Sequence, residues 1–352
     1  MDVVLDVLDT FALDRAYSSL LPATAAQIAV NKAAFPTYNE NVNRYMPLSA
    51  TEWATRSSWA RDDVRRQALS LFLITWCVPS LGVVQHRLTY NINRIFGLVL
   101  YFIGSTISYY FVFDKRAMNH PRFLRNQIRM EIRQAMESMP IMAALTTPFF
   151  VGEVRGYTKL YDMASEAPFP LYNYLQFPLF LAFTDCCIYW IHRGLHHPFV
   201  YRTLHKPHHK WIVPTPYASY AFHPVDGWSQ SVPYHLFPFL FPLHKVAYLG
   251  LFVFVTVWTV LIHDGEYATR SPIINGSACH TMHHLYFNYN YGQFFTLWDR
   301  IGGSYRVPPD ELFSDDLKMD EKQWQKQAQE MDRLVKEVEG TDDRTYGEKK
   351  DQ

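Results

Sequence analysis

All but His86 and His120 of the chain's fifteen histidines lie between residues 192 and 284. They recur as three boxes, "HRGLHH" at 192–197, "HKPHH" at 205–209 and "HTMHH" at 280–284. Side chains three and four residues apart share one face of a helix. His192 with His196, His205 with His208 and His209, and His280 with His283 and His284 therefore each aim imidazoles at one point. A lone H-x-x-x-H is commonly a surface or core pair, but three boxes in so short a stretch make a metal cage, and the fold must bring them together.

Neutral imidazole suits zinc, copper, iron and nickel. A structural zinc site closes at four ligands, whereas the boxes offer at least eight histidines without cysteine help. Two metals are expected. His263 in "LIHDGEY" is a further candidate ligand, and His197 is another. Standing about 100° around a helix from His196, His197 need not share its metal. His223 in "AFHPVDG" is open between ligand, support to a ligand and substrate contact, while His235 and His244 read as interfacial side chains. Among nearby carboxylates, Asp185, Asp226, Asp264 and Glu266 are expected behind the ligands, fixing a histidine tautomer through its free N–H. For Asp185 a structural hydrogen bond between membrane helices is an equal alternative.

The rest of the chain reads as membrane. Aromatic residues make up 16% and charged residues only 19%. With 33 basic and 33 acidic side chains the formal charge is zero, which argues against a nucleic-acid partner. The expected architecture is all-α, a multi-pass membrane helical bundle carrying a cytosolic histidine-rich domain. Residues 1–67 form an N-terminal cytosolic segment and 68–191 the transmembrane helices. Residues 192–307 form the histidine-box domain, with a membrane hairpin at about 232–262, and 308–352 a polar cytosolic tail. The runs 68–84, 95–113, 139–155 and 172–191 approach the ~20 residues a spanning helix needs. Lys115, Arg116, Arg122, Arg125, Arg129 and Arg133 place the 114–138 link in the cytosol. The short 85–94 link is then luminal, and the fourth span emerges into the cytosol at His192. Prolines break 232–262, which spans twice or dips and returns. The N-terminus lacks the basic start of a cleaved signal peptide. Cys77, Cys186, Cys187 and Cys279 show neither zinc spacing nor a disulfide framework. In the tail, Trp324, Met331, Leu334, Val335 and Val338 stripe one face of a helix expected to pack on its own domain.

The boxes resemble those of the fatty acid hydroxylase/sterol desaturase superfamily, whose members carry H-x-x-x-H, H-x-x-H-H and H-x-x-H-H around a non-haem di-iron centre. The segments "FTDCCIYWIHRGLHHPFVYRTLHKPHHKW", "PTPYASYAFHPVDGWSQSVPYH", "IHDGEY" and "NGSACHTMHHLYFNYNYGQFFTLWDRIGGSYR" narrow the likeness to the fungal sterol C-5(6) desaturase family, over roughly Met1 to Phe313. One departure is Tyr220, where many relatives have histidine.

The resemblance implies an O2-dependent oxidoreductase that introduces the 5,6 double bond into a Δ7-sterol in ergosterol biosynthesis. Its cofactors would be two iron ions, and its electrons would come from cytochrome b5 and its NAD(P)H-dependent reductase. Two other readings stand beside it. One is a related di-iron membrane hydroxylase or oxidase acting on another sterol, a terpenoid or a fatty acid. The other, of a different class, is a metal transporter, disfavoured because transport sites lie near the bilayer midplane. Lys349 and Lys350 near the C-terminus look like a dilysine retrieval signal, consistent with a multi-pass endoplasmic reticulum protein whose termini are both cytosolic. The sequon at Asn275 should then stay unmodified.

Overall fold

The computed structural model describes residues 5, 7–32, 52–76, 96–267, 270–314 and 317–346. The second half of the first expected span, the 85–94 link, Cys77 and the two terminal lysines lie outside them. Two compact units divide the chain, Met1–Gly97 with Ala143–Thr158, and Leu98–Met142 with Lys159–Gln352.

In the first unit a π-helical turn (Asp9–Leu13) leads into α1 (Asp14–Leu20), which is followed by α2 (Val64–Trp76). Buried Arg66 pairs with Asp9 at 2.8 Å and also with Asp14, and Arg61 closes the network on Asp14. Leu5, Leu71, Ile74 and Phe150 pack into an apolar cluster. The N-terminal segment is thus fastened by charges that must stay paired, because an uncompensated buried charge costs several kcal/mol, about 3–5.

The second unit carries the histidines. α3 (Phe96–Phe111) precedes α4 (Gln127–Val154), which contributes Gln127–Met142 to this unit and its remaining turns to the first. α5 (Tyr172–Leu195) is the one helix among the described residues long and apolar enough to cross a membrane. The expected hairpin begins earlier than its apolar run, as α6 (Pro224–Leu240), whose first turn is capped by His223 Nδ1 accepting from the Val225 N–H. After Leu240 the chain turns into the shorter apolar helix α7 (Lys245–Leu261). Phe180 of α5, Phe237 of α6, and Tyr248 and Leu251 of α7 form one core cluster.

The fold departs from all-α at one small point. β1 (Leu160–Tyr161) pairs in parallel with β2 (Leu243–His244) in a two-stranded sheet. The turn between α6 and α7 leaves backbone groups without helical partners, and the Lys159 strand takes them up.

α8 (Ser277–Tyr286) carries the third box, and α9 (Leu297–Gly302) follows it. The tail forms α10 (Glu321–Val338). Its Met331 packs with Ile212, Met282, Leu285 and Tyr286, and its Val335 with Tyr201 and Phe287. The striped face expected from the sequence therefore closes over the box-bearing segments.

Candidate metal centre

Each box sits at a helix end. His192 lies in the last turn of α5 and His196 at its cap; a π-helical turn (Tyr201–His205) and a short helix (Lys206–His209) carry the second box; α8 carries the third. The segments converge as two groups, His192, His196, His205, His209 and His283 in one, and His208, His263, His280 and His284 in the other. Within each group the ligand nitrogens lie within 4.8 Å of one another. The two groups adjoin, with the His209 and His284 rings 5.2 Å apart. Boxes do not map one to one onto groups: the second and third boxes each serve both.

Nδ1 of His192 faces the Tyr291 carbonyl at 3.0 Å, and Nδ1 of His205 faces an Asp226 carboxylate oxygen at 2.7 Å. Both partners only accept, so each ring carries a proton on Nδ1, and as a metal ligand each would offer the lone pair of its Nε2. Those two Nε2 atoms are 3.1 Å apart. The same contact recurs between His196 and His209 at 3.2 Å, His263 and His280 at 3.0 Å, and His280 and His284 at 3.1 Å. Nitrogens this close share either a proton or a metal ion. With metal–nitrogen bonds of about 2.1 Å, neighbouring ligands on a six-coordinate ion stand ~3.0 Å apart, against ~3.4 Å for a tetrahedral one. The donor set therefore fits metal ions, with spacings of the order expected between neighbouring ligands of one ion.

Electrostatics agree. Burial, reinforced by neighbouring imidazoles, holds His196, His208, His209, His280, His283 and His284 well below the ordinary histidine range. Burial alone brings His263 down to about 4. These rings stay neutral near pH 7, the form that binds metal.

The remaining candidates separate. Asp226 takes the expected place behind His205. His263 joins the second group, its Nδ1 donating to the Thr259 carbonyl at 2.7 Å. His197 belongs to neither group: it lies past the end of α5, exposed, with Nδ1 accepting from the Phe199 N–H. His223 is likewise a helix cap. Asp185 supports no histidine; its Oδ1 accepts from the backbone N–H groups of Gln293, Phe294 and Phe295. Both readings of its role gave it a helix or a histidine as partner, and it instead anchors the loop after α8. Asp264 faces Ser108 at 3.5 Å and its own turn at Glu266, and Glu266 pairs with Lys318 at 3.7 Å. His235 is buried with Nδ1 3.4 Å from the Tyr248 hydroxyl, and His244 caps α7. Tyr220 packs edge-on against Tyr101.

Three supports were not singled out from the sequence. Gln127, Glu131, Gln134 and Ser138 stripe one face of α4, facing the segment that carries the second box. Gln127 donates to Val213 O at 2.7 Å, Glu131 accepts from the Thr215 N–H at 3.2 Å, Gln134 donates to Ala221 O at 3.0 Å, and Ser138 donates to Phe222 O. Ala221 O also faces His208 Nδ1 at 3.4 Å. The signal was the i, i+4, i+7, i+11 spacing, hidden among arginines. Asp299 accepts from the Tyr291 and Gly292 N–H groups, both at 2.8 Å, and so fixes the carbonyl that orients His192. Asn275 is buried and donates to Gly292 O. In the folded protein its side chain is enclosed, and this packing leaves no room for a glycan at Asn275.

A family model described as fatty acid hydroxylase matches residues 177–304, the stretch that holds all three boxes. Along nearly its whole length the chain is 61% identical to the Delta(7)-sterol 5(6)-desaturase erg3B of Aspergillus fumigatus, over 98% of each protein. It is 54% identical to the Delta(7)-sterol 5(6)-desaturase of Leptosphaeria maculans, over 98% of this chain and 97% of that one. The corresponding enzyme of Eremothecium gossypii is 48% identical over 98% of this chain and 99% of its own. The chain belongs to the Delta(7)-sterol 5(6)-desaturase family. It is accordingly an oxidoreductase of a metal-dependent superfamily. No solved structure matches it significantly.

Proposed function

We propose that the protein removes one hydrogen from each of C5 and C6 of a Δ7-sterol, with one iron held in each histidine group. The observation that carries this reading is the convergence of nine histidines on two adjoining groups, with ligand nitrogens within 4.8 Å of one another in each, in a chain 61% identical to a Delta(7)-sterol 5(6)-desaturase. Iron suits the chemistry because breaking ring C–H bonds with dioxygen needs a redox-active metal, which zinc is not. When bound, the two irons would supply the activation of dioxygen. The balance is sterol plus O2, two electrons and two protons giving the 5,7-diene and two waters.

This chain's own residues hold and shield the centre. Asp226 and the carbonyls of Tyr291, Thr259 and Tyr289 keep the Nδ1 protons of His205, His192, His263 and His283 in place. They thereby point the other nitrogen of each ring inward. Burial of the rings excludes bulk water. Electrons would come from cytochrome b5 and its NAD(P)H-dependent reductase.

The setting is a multi-pass protein of the endoplasmic reticulum membrane with both termini cytosolic. The apolar outer surface supports a lipid environment: Leu175, Phe177 and Trp190 on α5, and Val246, Phe254 and Val257 on α7, are exposed. Such a surface is costly in water and favourable in lipid, and a sterol dissolved in the same bilayer could reach the boxes at the helix ends.

The test is expression in a fungal strain lacking its own C-5(6) desaturase. The 5,7-diene absorbs in the near ultraviolet, where the substrate does not, and should appear only with dioxygen present. Accumulation of a hydroxylated sterol instead would replace the desaturase reading with that of a related hydroxylase.

A further inference from the structure

The start of α4, the second box and the chain after α10 enclose a cleft of about 600 Å³. Five cationic side chains line it, Arg125, Arg202, Lys206, Lys210 and Arg344, against one carboxylate, Asp343. Two of the cations are already paired. Lys206 reaches Glu339 at 3.3 Å and Asp343 at 3.1 Å, and Arg344 reaches Glu339 at 2.8 Å and Asp342 at 3.1 Å. Arg125 and Arg202 are exposed, Lys210 is half-buried, and among the described residues none of the three has a carboxylate partner.

The cleft adjoins the metal centre directly. Lys206, Pro207 and Lys210 of its wall flank His208 and His209, and Arg344 Nη2 donates to the His209 carbonyl at 3.1 Å. A group seated on Arg344 is one hydrogen bond from the backbone of a ligand residue.

We propose that this cleft receives the acidic face of the electron-carrier protein that reduces the centre, an inference that rests on the donor assigned above. Each docking passes one electron from the carrier to the histidine centre and leaves the carrier oxidised. Two dockings supply the two electrons that, with two protons and the two hydrogens of the sterol, reduce O2 to two waters. Charge complementarity selects the occupant. A lipid headgroup fits less well, because the only apolar side chains on the wall are Leu124, Met130 and Pro207, too few to lay an acyl chain beside the phosphate.

The full-length enzyme in nanodiscs, bearing both Arg125→Glu and Arg202→Glu, tests this with two reductants, cytochrome b5 and dihydrophenazine, a small neutral molecule. Iron content and turnover with dihydrophenazine should match the unmodified enzyme. KM for cytochrome b5 should rise about tenfold, and its dependence on salt should flatten. The Arg125→Gln, Arg202→Gln pair should show a smaller shift in the same direction and serves if the reversed pair does not fold.

An unchanged KM for cytochrome b5 overturns the docking site while leaving the donor assignment intact. Equal loss with both reductants overturns it too, since the centre itself would then be damaged. An effect that follows only the phosphatidylserine content of the nanodisc transfers the cleft to lipid. If the unmodified enzyme turns over with dihydrophenazine but never with cytochrome b5, the donor assignment falls and the docking site with it.

Discussion

Replacing Asp226 by asparagine should weaken one histidine group and spare the other. Asp226 and His205 are both fully buried, and among the described residues the 2.7 Å contact between them is the one carboxylate hydrogen bond to a histidine of the first group. Asparagine keeps the shape and an accepting oxygen but loses the charge. A hydrogen bond to a charged group contributes about 1.5–3 kcal/mol and a neutral one about 0.5–1.5, so the substitution costs ~1–2 kcal/mol. At about 1.4 kcal/mol per factor of ten, the metal dissociation constant of the first group should rise about 5- to 30-fold, which overlaps the range seen for outer partners of metal-bound histidines. His208, His263, His280 and His284 have no contact with Asp226, so their affinity should hold. Titration of the purified, iron-loaded protein with a chelator, reading residual iron by mass spectrometry, should show two release steps with only the first displaced to lower chelator. Two unmoved steps, or two steps displaced equally, would refute the reasoning.

Three further outcomes are expected. His208→Ala removes a ligand of the second group alone, so iron should fall from two to about one per chain while the protein still inserts in the membrane; retention of two irons at full activity would count against the cage. Gly292→Ala should destabilise the protein severely and disorder the centre, because a Cβ there would lie 2.4 Å from the Phe295 carbonyl oxygen and 3.0 Å from an Asp299 oxygen; a melting temperature within a degree or two of the unmodified protein would contradict the geometry. Glu131 is raised by burial to about 7, so its stability contribution is complete below the ordinary carboxylate range near 4.5 and is lost as pH rises through 7. Glu131→Gln should therefore gain in melting temperature relative to the unmodified protein as pH rises from about 5 to 7 and level off above that, and a difference flat across that range would remove Glu131 as the cause.

What the sequence determined by itself is what depends on short spacing. Three histidine boxes imply a cage, apolar runs imply helices, and the stripe around Met331 implies a helix that packs, because each signal is written within a few turns of chain. His263 was legible for the same reason, at the end of an apolar run. The assignment of His208 to one group and of its neighbour His209 to the other was not legible. It depends on the π-helical turn at Tyr201–His205 and on how α8 faces it.

His197 shows the limit from the other side. Sequence adjacency made it a candidate, but α5 ends at His196, and the next residue turns outward to cap a new helix. Asp185, Asp299 and Gln134 act through backbone atoms more than 80 positions away or in a neighbouring loop, and hydrogen bonds to carbonyls and amides leave no mark in the partner's residue type. The sequence could name the side chains able to bind metal, since only certain types can. Which of them converge, and what holds them there, was decided by the tertiary structure, because many of the supporting contacts are made by backbone groups that every residue carries.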